Sequence, residues 1–115
     1  MTEWQLAQRI ADITLEEKAF DVLILDVRDV TVLADYFVIA SGRSTIQVKV
    51  IAENIEDLLL EEGYRPLRRE GFNEGRWVIL DYGSVIVHIF RQQEREYYEL
   101  EKLWGDAREI EIAAR

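Results

Sequence analysis

Two places along the chain carry residue types that could do chemistry. His88 is the single histidine, and imidazole is the side chain whose ordinary pKa suits general-base work near neutral pH. Asp81 could orient it from across a hairpin. Yet Val87 and Ile89 flank His88, and no serine or second acid stands at a spacing that completes a hydrolytic or metal constellation. A structural or interface histidine is the expected reading. The second place is SGRSTIQ at residues 41 to 47, where glycine and serine precede a helix whose free N–H groups and dipole could hold a phosphate. Nucleotidyl transfer would use such a turn, but it also needs two acids alternating on a following strand to hold Mg²⁺. Here Glu53, Glu56 and Asp57 follow on a helix, whereas Asp26 and Asp29 precede the turn, so helix capping is the better account. No catalytic residue, metal ligand set or cofactor is expected.

The composition points the same way. The 115 residues fit one domain, and 49% hydrophobic with 32% charged suits a compact fold. Fourteen basic against 23 acidic residues leave a net charge of −9, which repels phosphate backbones and favours a cationic protein surface. With no cysteine there is no disulfide, thiol nucleophile or thiolate site. The first residues lack a basic start followed by an apolar run, and no apolar stretch is long enough for a membrane helix, so a cytoplasmic protein is expected.

The elements that must position these residues follow from periodicity. Leu6, Ala7, Ile10, Ala11 and Ile13 predict an amphipathic helix over residues 2 to about 19, capped by Thr2. Val22 to Leu25 and Phe37 to Ala40 read as strands. Ser44, with Gln47 three residues on, opens a helix from Thr45 to about Glu62 that buries Ile51, Ile55, Leu58 and Leu59 and ends at Gly63. Residues 65 to 70 form a polar strand that Pro66 confines to a sheet edge or a strand start. Trp77–Asp81 and Val85–Phe90 are strands of a hairpin turned by Tyr82, Gly83 and Ser84. A charged aromatic helix from residue 92 to about 104 closes the domain at residue 107, and 108 to 115 is expected to be a charged mobile tail. The fold class is α/β (α+β): a mixed five-stranded sheet with helices mainly on one face and the other face partly bare.

The hairpin is where a binding surface is expected. Alternation separates Trp77, Ile79 and Asp81 from Val78, Leu80 and Tyr82, and Val85, Val87 and Ile89 from Ile86, His88 and Phe90. How the two sets match across the turn depends on register. An apolar face rimmed by charge marks a protein-binding surface, whereas continuous apolar strands can also be buried on both faces. The acids of the two later helices, among them Glu94, Glu96, Glu99 and Glu101, are read as solvated, and Arg43, Arg65, Arg68 and Arg69 as a local basic spot at a solvated edge.

LADYFVIASG at 33 to 42, EGRWVILDYGSVIVHIF at 74 to 90 and EREYYELEKLWGDA at 94 to 107 together resemble the Iojap family, the ribosomal silencing factors, over residues 3 to 107. The resemblance implies a nucleotidyltransferase-like topology without the catalytic acids. It implies a non-enzymatic translational repressor that binds the large ribosomal subunit through its fourteenth protein and sterically blocks association with the small subunit under nutrient limitation. The partner-binding residues it implies are Trp77, Leu80, Asp81, Tyr82, His88, Phe90, Tyr98, Leu103 and Trp104. Peripheral contact with ribosomal RNA and pairing with a second copy stay open. The alternative from another class is a small nucleotidyltransferase-like nucleotide-binding domain using Ser41 to Thr45 with Asp26.

Overall fold

The structure is a computed structural model that describes residues 1–98 and 108–111. The elements, in chain order, are α1 (Glu3–Glu16), β1 (Phe20–Asp26), β2 (Tyr36–Gly42), α2 (Thr45–Glu61), β3 (Arg68–Glu70), β4 (Trp77–Asp81), β5 (Val85–Arg91), α3 (Gln92–Tyr98) and β6 (Arg108–Glu111). The strands form one sheet in the order β3-β4-β5-β2-β1-β6. Among the described residues only β2 and β5 run parallel, and every other neighbouring pair is antiparallel. The sheet is therefore mixed, as expected. Among the described residues it has six strands where five were expected, because Arg108–Glu111, within the expected tail, pairs with β1 from Leu23↔Glu111 to Asp26↔Arg108. An uncovered β1 edge would offer unpaired N–H and C=O groups, and this charged segment satisfies them.

Both long helices lie on one face because their apolar stripes must be buried. Leu6, Ala7, Ile10, Ala11 and Ile13 of α1, with Val48, Ile51, Ala52, Ile55 and Leu59 of α2, pack on Ile24, Val38, Ala40, Val78, Leu80, Val85, Val87 and Ile89. Thr2 and Gln5 form a reciprocal capping box on α1. Ser44 Oγ accepts the Gln47 N–H at the start of α2, while Gln47 Oε1 accepts the Arg43 N–H and its amide donates to the Glu17 and Lys18 carbonyls. One side chain thus ties the end of α1 to the start of α2.

The opposite face is not bare. A second core of Leu25, Val27, Ala34, Phe37, Ile39, Ile86 and Phe90 lies there, with Val30, Trp77 and Ile79 packed against it. The continuous apolar runs of β2 and β5 are those of strands buried on both sides, and the loop between β1 and β2 folds Val27, Val30 and Ala34 over this face. β1 bulges between Phe20 and Leu23, with Asp21 at a φ of 49°. From α3, the buried Arg95 donates to the Asp21 carbonyl exposed by that bulge and to Ser41 Oγ of β2.

Candidate functional site

The register of β4 against β5 settles which hairpin residues share a face. Trp77 stands opposite Phe90, Ile79 opposite His88 and Asp81 opposite Ile86, so Trp77, Ile79, Asp81, Ile86, His88 and Phe90 share the face away from α1 and α2. Tyr82 donates its N–H to the Val85 carbonyl, the Gly83 N–H donates to Asp81 Oδ1, and Gly83 takes a φ of 86° that glycine allows at no steric cost.

On that face the aromatic rings form a connected wall. Trp77 stacks on Phe90 with centroids 4.9 Å apart, His88 meets Phe37 edge-on at 5.1 Å, and Trp77 lies 5.9 Å from His88. The Trp77 indole Nε1–H donates to His88 Nδ1 at 3.1 Å. Because indole nitrogen only donates, Nδ1 must be the bare acceptor and the His88 proton sits on Nε2. Burial disfavours the imidazolium and pushes the His88 pKa down to about 4. His88 is therefore neutral at neutral pH and holds an aromatic wall in place. Asp81 does not orient it: the Asp81 carboxylate takes the Gly83 N–H and faces Arg68 Nε at 3.4 Å.

The residues expected at a partner surface consequently separate. Trp77 and Asp81 are half-buried on the outer face, with His88 and Phe90 buried behind them. Leu80 lies on the helix side, fully buried in the main core, so it supports the hairpin from beneath. Tyr82 also turns toward that side, half-buried, its hydroxyl buried with no hydrogen-bond partner among the described residues and its pKa raised by burial and then by the Glu56 carboxylate. Tyr98 is the last residue of α3, and Leu103 and Trp104 lie outside the described residues. Ile79, Ile86 and Phe37 join the wall without having been singled out. Alternation at two-residue spacing from Trp77 and His88 points to the first two, and only the β2–β5 pairing brings in Phe37.

The nucleotide-binding alternative loses its geometry. Asp26 pairs with Tyr36 at one end of β1 and β2, and the 41–45 turn leaves the other end, six residue steps away. At about 3.3 Å per step that is roughly 20 Å. Asp26 instead grips the Arg28 guanidinium with both oxygens. The Arg43 N–H in the turn is taken by Gln47 Oε1 and the Gln47 N–H by Ser44 Oγ, and Gly75 is packed so closely on the first turn of α2 that a Cβ there would lie 2.9 Å from the Thr45 carbonyl oxygen. Among the described residues, no three histidine, aspartate or glutamate side chains gather as a metal site. The basic spot also disperses: Arg43 stacks over Phe20 at the turn end of the sheet, whereas Arg68 faces Asp81 at the other end and Arg69 pairs with Glu56 and covers Phe72.

A family described as "Ribosomal silencing factor during starvation" matches residues 1–115. The chain belongs to the ribosomal silencing factor family. It is 49% identical over 92 residues to the ribosomal silencing factor of Bacillus subtilis, spanning 80% of this chain and 78% of that one. It is 39% identical to that of Halalkalibacterium halodurans, over 97% of this chain and 96% of the relative. A crystal structure of a Chromobacterium violaceum protein superposes with a TM-score of 0.88 at 32% identity, covering 91% of this chain and 88% of its own. The family's name describes a regulator of ribosomes, a role that a neutral, hydrogen-bonded histidine in an aromatic wall fits better than it fits acid–base chemistry.

Proposed function

We propose that this protein acts in the cytoplasm without catalysis, binding the large ribosomal subunit through its fourteenth protein and keeping the small subunit from joining, so that translation falls when nutrients are scarce. The observation that carries the reading is half-buried Trp77, held on the outer face by hydrogen bonding and stacking against the buried rings of His88, Phe90 and Phe37, in a family member with net charge −9. Rigid aromatic anchors lose little entropy on docking and dominate interface energies, and the surplus of acid favours a basic ribosomal protein. A body of 34 × 34 × 28 Å seated on an intersubunit face leaves no room for two large surfaces to close. Trp77 and Asp81 make the contact from the outer face with His88 and Phe90 as backing, and the family resemblance also assigns Tyr82, at the hairpin turn, and Tyr98, Leu103 and Trp104 to it.

Cosedimentation with isolated large and small subunits, followed by a joining assay with the protein added before mixing, tests this. Binding to large subunits alone and loss of joined ribosomes are expected. Trp77→Ala should weaken that binding by about 2 kcal/mol, roughly thirty-fold. Binding to neither subunit would overturn the proposal, and undiminished binding by a folded Trp77→Ala protein would move the interface elsewhere.

A further inference from the structure

The loop between β1 and β2 is built with care and then leaves two apolar side chains in water. Val27 and Ala34 are buried, the Val30 and Thr31 N–H groups both donate to the Val27 carbonyl, and the Val27 N–H donates to Asp35. Arg28 grips Asp26 and lies over the Tyr36 ring. At the tip, held by the Leu33 N–H to Thr31 Oγ1, Val32 is 102% exposed and Leu33 68%. Two neighbouring apolar residues on a pinned loop cost free energy in water, and the pinning removes most of the entropy that docking would otherwise lose.

The tip is continuous with the hairpin turn. The Asp35 and Tyr36 N–H groups both donate to the Ser84 carbonyl, and on the far side of Gly83 stands Leu67, 74% exposed. The acids beside the tip are Asp29, which is exposed, and Asp35, half-buried, while the neighbouring Arg28 is neutralised by Asp26. An apolar tip flanked by acids on a chain of net charge −9 suits a basic surface and disfavours a second copy of this chain.

We infer that Val32 and Leu33 form an apolar knob that inserts into a recess on a basic ribosomal protein, extending the hairpin surface across the end of the sheet. This rests on the large-subunit reading above. The test is cosedimentation of a Val32→Ser, Leu33→Ser double variant with isolated large subunits, with Ile46→Ser, an exposed apolar position on α2, as the control. The double variant should fold like the parent and bind about tenfold more weakly or worse, with Ile46→Ser unchanged. Because the chain has no cysteine, Leu33→Cys carrying a benzophenone maleimide provides a unique photo-crosslinker, expected to capture a basic protein of the large subunit. If the parent binds and the double variant binds equally, or if the crosslink reaches only RNA, the knob inference fails while the large-subunit reading stands. If the parent binds no subunit, both fail. A parent dimer at micromolar concentration that the double variant abolishes would assign the knob to self-association and overturn the inference.

Discussion

At the scale of single residues, His88 carries the clearest consequence of burial. Its folded pKa is about 4 against 6.5 for the free side chain, so between those values the unfolded chain binds a proton that the folded chain refuses. Its contribution is therefore fully present above pH 6.5 and is lost as pH falls toward 4, amounting to roughly 3 kcal/mol over that window. Denaturant unfolding at pH 7 and pH 5 should show the loss, and a His88→Phe variant should show a shallower one; equal slopes would mean that His88 is not buried neutral. Tyr82 allows a complementary test. Its buried hydroxyl has no hydrogen-bond partner among the described residues, so Tyr82→Phe should leave thermal stability unchanged or raise it, by about 1 kcal/mol at most. A clear loss would mean that the hydroxyl is satisfied in solution. The lone histidine and the nearby aspartate were legible in the sequence, but their relation was not. Register places Asp81 opposite Ile86 and hands His88 to Trp77.

Among the elements, the turn between β3 and β4 shows how a short segment aims the wall. Gly71 has a φ of 77°, and a Cβ there would lie 2.0 Å from the Trp77 carbonyl oxygen, so backbone meets backbone with nothing able to swing aside. Gly71→Ala should cost about 2 kcal/mol or more and shift tryptophan fluorescence as the start of β4 moves. Wild-type stability and emission would refute that account. The hairpin was legible from its two apolar runs and three-residue glycine turn, because those cues are local. The cap of α2 was legible in part: Ser44 accepts the Gln47 N–H as anticipated, but Gln47 reaches back to Arg43 and across to α1. A partner some thirty positions away leaves no trace in a local pattern. The strand Arg108–Glu111 escaped the reading for the same reason, since its place depends on the open edge of β1.

For the molecule as a whole, charge sets the kinetics of encounter. On the proposal of a basic partner on the large subunit, a net charge of −9 should make the association rate fall as salt rises from about 0.01 to about 0.1 M, a range over which the screening length contracts from roughly 30 to 10 Å. The dissociation rate should change far less. Interferometry on immobilised large subunits would check this, and a salt-independent association rate would remove charge as the guide. Composition, helix stripes, the hairpin and the family resemblance were all determined by the sequence, because each depends on residue identity and on neighbours a few positions away. Tertiary structure alone decided that both faces of β2 and β5 are covered, that Leu80 serves the core while Trp77 looks outward, and that Asp26 stands at the far end of the sheet from the glycine turn. Those facts depend on strand order and register, in which a shift of one residue exchanges every side chain between faces, and register is set by contacts between segments far apart in the chain.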